Sequence, residues 1–342
     1  MFEQKIKFLN INLNALNERC TFSSGDLITG HVSFELSKET AVTSITMAVK
    51  GKAHVHWSTG SGGKRRSRRN YTANLDFFKL KGVIVPGNSA AGGTKLQPGT
   101  HVYPFTCQLP QGDFPTSFRG VNGQIAYTLT VSINRPWHLS KDFVTEFSFV
   151  NRIDINQPVL SAPLSGSNTM TVCLLWCASG PITVTAISEK KAFTPGETAK
   201  IICDFSNASS RLATPKLKLK QKQGFYTHNR VSRRLYFKTL NSSTGQPISP
   251  HTTDVHTEFM LTIPSSASLT ISNCSILEVE YFIEFDQESD PEGEAPEEIH
   301  SVAAAGRFRM VSLKVSYSSE VTVMIPIILC DTPVDPHPPQ YS

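Results

Sequence analysis

Ile28-Thr29-Gly30-His31-Val32-Ser33-Phe34-Glu35-Leu36 alternates apolar or small residues with polar ones along its whole length. Such alternation places one set of side chains on each face of an extended chain, so one face packs a core and the other meets water. The period recurs on either side of this stretch. Ile45, Met47, Val49, Gly51, Ala53, Val55 and Trp57 alternate with mainly polar residues, and Ile125, Tyr127, Leu129, Val131 and Ile133 do the same. Val279, Tyr281, Ile283 and Phe285 follow late in the chain, then Val311, Leu313, Val315 and Tyr317. No window of helical length carries a capped 3.6-residue stripe. Gly, Pro, Ser and Asn clusters punctuate the strands, as antiparallel sheets require. The expected fold class is all-β, of sandwich type.

The alternation is written twice. Phe22-Ser23-Ser24-Gly25-Asp26 introduces one strand, and Phe193-Thr194-Pro195-Gly196-Glu197 introduces another 171 residues later. Leu109-Pro110 ends a strand in the first half and Ile263-Pro264 ends one in the second, 154 residues on; Tyr127 and Tyr281 are also 154 apart. Ordered landmarks of this kind indicate an internal duplication. The glycine of each Phe-x-x-Gly-acid turn suits a positive-φ position. The offset drops by 17 residues, which places an excess in the first copy, with the Gly-rich and basic region 58–98 as its expected seat. The reading gives a first sandwich over 1–150, a linker over 151–167 containing Pro158, Pro163 and Gly166, a second sandwich over 168–331, and a proline-rich tail over 332–342, too polar to pack a strand.

The totals narrow the function classes. A length of 342 residues suits two cores, and 39% hydrophobic with 18% charged residues is ordinary for a globular protein. A net charge of +5 is too modest for general nucleic-acid binding, so no nucleic-acid partner is expected. Seven scattered cysteines do not form a disulfide framework. The sequence opens without a basic-then-apolar leader, and no apolar run approaches the ~20 residues of a membrane span. The expected location is the cytoplasm.

At this point a family resemblance carries further. Gly25-Asp26 through Gly30-His31-Val32, Gly51-x-Ala53-x-Val55-x-Trp57, Leu96-Gln97-Pro98-Gly99-x-His101-x-Tyr103-Pro104-Phe105, Pro115-Thr116-Ser117-Phe118 and Arg135-Pro136-Trp137 resemble the amino-terminal domain of arrestins. Cys177-Ala178-Ser179-Gly180-Pro181-Ile182 and the Phe193–Glu197 turn are similar to the start of the carboxy-terminal arrestin domain. The similarity is greatest to the α-arrestins, the arrestin-domain-containing proteins. It implies two immunoglobulin-like sandwiches and an adaptor, not an enzyme. Such an adaptor joins the cytosolic tails of membrane receptors or transporters to ubiquitin ligases and endocytic machinery, at the plasma membrane and endosomes. Arrestins that sense cargo phosphates use adjacent lysines in the first strand. Lys5 and Lys7 are separated by Ile6, so that mechanism is not carried over.

Two segments are candidate sites. Pro338-Pro339-Gln340-Tyr341 is a PPxY motif. Its proline pair pre-sets polyproline II, leaving little ordering entropy to lose in the aromatic groove of a WW domain, where Tyr341 fills a neighbouring pocket. The resemblance implies a HECT-type ligase with WW domains as partner; the competing reading is a chance proline-rich tail. Pro338 follows Cys330 by 8 residues, a reach of roughly 25 Å. Lys64, Arg65, Arg66, Arg68 and Arg69 form the second candidate, suited to phosphate groups of a cargo tail or to anionic lipid. A solvated loop without a fixed partner is its alternative. The acidic run 286–298 reads as a surface loop. His54 and His56 lack a third ligand at suitable spacing, and no specific catalytic motif is present, so neither metal nor cofactor is expected.

Overall fold

The computed structural model describes residues 6–60, 68–87, 93–174, 177–210, 212–288 and 323–336. The chain divides into two compact units, Met1–Asn151 and Arg152–Ser342. The first contains β1 (Ile6–Leu13), β2 (Thr21–Phe22), β3 (Leu27–Leu36), β4 (Thr40–Val42), β5 (Ser44–Gly60), β6 (Arg68–Val85), β7 (Thr94–Leu96), β8 (Gly99–Gln108), β9 (Phe118–Arg119), β10 (Gly123–Asn134) and β11 (Lys141–Phe149). One sheet has the order β1-β3-β8, the other β2-β11-β10-β5-β6, and β4 pairs with β7. The second unit contains the helical turn α1 (Pro158–Ser161), then β12 (Leu164–Leu174), β13 (Cys177–Ser188), β14 (Ala192–Phe193), β15 (Thr198–Asn207), β16 (Thr214–Tyr226), β17 (Arg233–Thr244), β18 (Thr252–Thr262), β19 (Leu277–Glu288) and β20 (Val323–Leu329). Its sheets run β12-β13-β15-β18 and β14-β20-β19-β16-β17.

The five-stranded paths are the same path twice, with β5, β6 and β10 answering to β16, β17 and β19. The alternating sets lie inside: Ile28, Val32 and Phe34 of β3, Ile125, Tyr127 and Leu129 of β10, and Val279, Tyr281 and Ile283 of β19 are all buried. The duplication extends to hydrogen bonds. Gly25 and Gly196 have φ of 77° and 93°. Ser23 N–H donates to the Asp26 carboxylate at 2.7 Å, and Thr194 N–H donates to Glu197 at 2.8 Å. Tyr127 Oη donates to Pro115 O and Tyr281 Oη to Ser268 O, each at 2.6 Å. These are corner tyrosines, tying a buried strand to the backbone that leads into it.

Three expectations change. The region 58–98 is mostly strand, not loop, because β5 and β6 form one long hairpin. From Ser44 to Gly99 the first copy runs 55 positions, and from Thr214 to Thr252 the second runs 38, which seats the 17-residue excess in this hairpin and its return. Residues 164–167 of the expected linker belong to β12, which pairs with β13 from Leu164↔Ser188 onward. The tail also packs: Val334 is buried in a small core with Leu160, Ala192 and Cys330, against which Ile153 and Ile155 lie. The strand expected from Val311 to Tyr317 and the acidic run beyond 288 lie outside the described residues.

Candidate binding surfaces

The stem of the tail is fastened by a buried lysine. Lys190, only 4% exposed, donates its ammonium to the carbonyl of Val334, pairs with the Glu197 carboxylate and lies 5.1 Å from the centre of the Phe193 ring. A lysine inside a protein must be paired, since burying a bare charge is prohibitively costly. Here Glu197 supplies the counter-charge while its other oxygen accepts Thr194 N–H and Oγ1–H. The turn that opens the second copy therefore also holds the chain that leaves it. The path from Phe193 through Cys330, whose N–H donates to Phe193 O at 2.9 Å, to Val334 is one continuous docked edge. Pro338, Pro339 and Tyr341 lie outside the described residues. Chain length alone brings Pro338 within about 14 Å of Val334, four residues away. This is much less than the 25 Å reckoned from Cys330.

The second surface is the outer face of the β5–β6 hairpin. Of the basic run, Lys64, Arg65 and Arg66 lie outside the described residues; Arg68 and Arg69 begin β6 and are exposed. Arg68 donates to Ser58 Oγ across the hairpin at 2.9 Å. The Arg69 guanidinium sits 5.7 Å from the Tyr71 ring centre, and Tyr71 stacks on Trp57 at 5.2 Å and 12°. This stack stiffens the hairpin beneath its basic end. Behind it, Lys50 and Lys52 on β5 and Lys79 and Lys81 on β6 share one face. Lys50 pairs with Asp76 at 2.8 Å, while Lys52, Lys79 and Lys81 make no ion pair among the described residues. His54 Nδ1 meets Asn74 Oδ1 at 2.7 Å on the same face.

The matching face of the second copy is charged but internally balanced. Lys220 pairs with Glu284, Lys222 with Glu280 at 2.6 Å, and Arg230 with Glu278 while lying 4.4 Å from the centre of the Tyr226 ring. Burial, then the negative charge of Glu278, raises the Tyr226 hydroxyl well above its ordinary pKa. Neither this ladder nor the Lys190 clasp was anticipated from sequence. The alternation Lys216, Lys218, Lys220, Lys222 against Glu278, Glu280, Glu284, Asp286 was there to be seen. The clasp, joining residues 144 apart, gave no local sign.

Comparison with known proteins agrees with both copies. The family description of the arrestin (or S-antigen) N-terminal domain matches residues 9–156, and that of the arrestin C-terminal domain matches residues 178–301. Two tandem arrestin sandwiches define the class. The chain belongs to the α-arrestin family, the arrestin-domain-containing proteins. It is 28% identical to arrestin domain-containing protein 4 of Mus musculus over 281 residues, covering 81% of this chain and 66% of that protein. It is 26% identical to thioredoxin-interacting protein of Rattus norvegicus over 282 residues, covering 81% of this chain and 68% of that one. The chain thus spans about two thirds of the length of these relatives. No helix among the described residues is long and apolar enough to cross a membrane.

Proposed function

We propose that this chain is an adaptor that brings membrane receptors or transporters to a WW-domain HECT-type ubiquitin ligase, promoting their ubiquitination, endocytosis and endosomal transport. Arrestin-family membership supports the adaptor class. The observation that carries the ligase step is the PPxY sequence Pro338-Pro339-Gln340-Tyr341 placed four residues beyond the fastened Val334. So short a tether seats the ligase against the second sandwich instead of on a long free arm. The basic run Lys64, Arg65, Arg66, Arg68 and Arg69, together with Lys52, Lys79 and Lys81 of the β5–β6 hairpin, would meet the phosphates of a cargo tail or anionic lipid. No reaction occurs on the chain's own residues.

Substituting Pro339→Ala and Tyr341→Ala together tests the reading. The expected result is loss of WW-domain capture and of cargo ubiquitination, with the melting temperature unchanged. Undiminished ubiquitination overturns it in favour of a trafficking scaffold that binds cargo or coat without a ligase.

A further inference from the structure

At the opposite end of β5 from the basic tip, the β10–β11 connection displays Trp137 at 101% and Leu139 at 92% of full exposure. Trp137 also holds φ at +57°, a left-handed conformation that a bulky side chain adopts only under strain. The tip is nevertheless built: His138 Nδ1 meets Pro136 O at 2.7 Å, and Ser140 Oγ donates to Asp142 at 2.9 Å. The adjoining sheet face is mostly polar, with two isolated exposed valines. Val83 of β6 and Val144 of β11, both more than half exposed, occupy the rows of Ser132 and Thr130 beside the loop. Cations rim this end. Arg135 and Lys141 flank the tip, and Lys81 lies in the row of Thr130 and Val144, four residues back from the end of β10 and on the second strand over from it.

An exposed tryptophan and leucine in strained display need a non-aqueous partner. Two tip side chains offer on the order of 400 Å², well short of the ~800 Å² per side of an ordinary protein interface. A bilayer surface accepts isolated side chains of this kind: tryptophan settles at the headgroup level, leucine among the upper acyl carbons, and neighbouring cations meet acidic headgroups. We propose that the Trp137–Leu139 tip is a membrane-dipping loop that seats the first domain on an anionic bilayer. The site is separate from Arg68 and Arg69, which pair with the far end of the 17-residue strand β5.

The test is co-sedimentation of the full chain with phosphatidylcholine vesicles, with and without phosphatidylserine, together with quenching of tryptophan emission by brominated lipid. The parent chain is expected to bind the anionic vesicles and show quenching. Trp137→Ala with Leu139→Ala should weaken that binding roughly ten-fold. In a Trp176→Phe background, which leaves two of the three tryptophans, Trp137→Phe should remove the quenching, since the remaining Trp57 is 5% exposed and stacked on Tyr71. Both side chains are solvent-exposed, so an unchanged thermal melt confirms that the variants fold. Neutralising Lys64, Arg65 and Arg66 should leave the quenching in place. Equal vesicle binding by the double variant overturns the proposal. So does a double variant that keeps vesicle binding but loses a membrane protein from pull-downs, which would make the tip a protein contact.

Discussion

The outer faces of the two five-stranded sheets have the same strand order but different electrostatics, one balanced and the other basic. In the second copy the lysines of β16 stand beside the acids of β19, and Lys220 and Lys222 are paired in place. In the first copy Lys50 and Lys52 of β5 stand beside Thr128 and Ala126 of β10, and among the described residues only Lys50 of the two finds a carboxylate. Duplication supplied one scaffold, and the identity of a single neighbouring strand decided whether its lysines are consumed internally or remain available. The balanced face is a structural ladder; the unbalanced one is where an acidic partner gains most from contact. The edges differ similarly. Arg19, at the 171-residue offset from Lys190, is exposed, whereas Lys190 is covered by the returning tail.

This last difference predicts the largest effect. Lys190→Met leaves the Glu197 carboxylate unpaired and frees the Val334 carbonyl, and should cost the second domain about 3 kcal/mol. Arg19→Ala should change stability by less than about 0.5 kcal/mol. Urea unfolding followed by proteolytic mapping of each domain separates the two. Equal small effects would mean that the stem adds nothing to the fold, and the short tether argued for the PPxY motif would go with it.

Next comes the ladder. Lys220→Met deprives Glu284, whose side chain is 7% exposed, of its salt-bridge partner and should cost about 2 kcal/mol, the low side of a broken buried pair because Lys218 stands opposite Glu284 in the register. Lys79→Met in the first copy should leave stability within about 0.5 kcal/mol yet elute earlier in salt from a heparin column. If Lys79→Met destabilises as much as Lys220→Met, the two faces are alike and the contrast fails.

How much of this could be read beforehand varied with the range of the interaction. The strands around Ile28, Ile45, Ile125 and Val279 declared themselves, because period two is a local property. The β6 strand did not, although Tyr71, Ala73, Leu75 and Phe77 alternate. The register slips beside Gly51, where Phe78 pairs with it and Asp76 with Lys52, and the extra residue reverses the pattern just as Lys79 begins. The basic and glycine-rich tip then made the whole stretch resemble a loop. The tail stem was hidden for another reason. One valine between Pro333 and Asp335 has no period, and its burial depends on Lys190 and Leu160, far away in sequence. Trp137 belongs to the Arg135-Pro136-Trp137 stretch that resembles the family, but its exposure and its φ are facts of three dimensions.

The smallest effect bears on the duplication itself. Tyr127 and Tyr281 make the same 2.6 Å corner bond, but Tyr281 Oη also accepts from Gln221 Nε2 at 2.7 Å, and Gln221 in turn accepts from Gln223 at 2.8 Å. Tyr281→Phe should therefore cost about 2 kcal/mol, of which about 1 is the net value of the corner bond and the excess comes from stranding a buried amide donor. The excess belongs to the Gln221 contact, so it should shrink in a Gln221→Leu background, where no donor remains to be orphaned. A double-mutant cycle on Tyr281 and Gln221 measures the coupling directly. A coupling near zero would show that the two corners are energetically as well as geometrically equivalent. A coupling of about 1 kcal/mol would show that the second copy has built the Gln221–Gln223 polar pair into its corner as a cooperating unit.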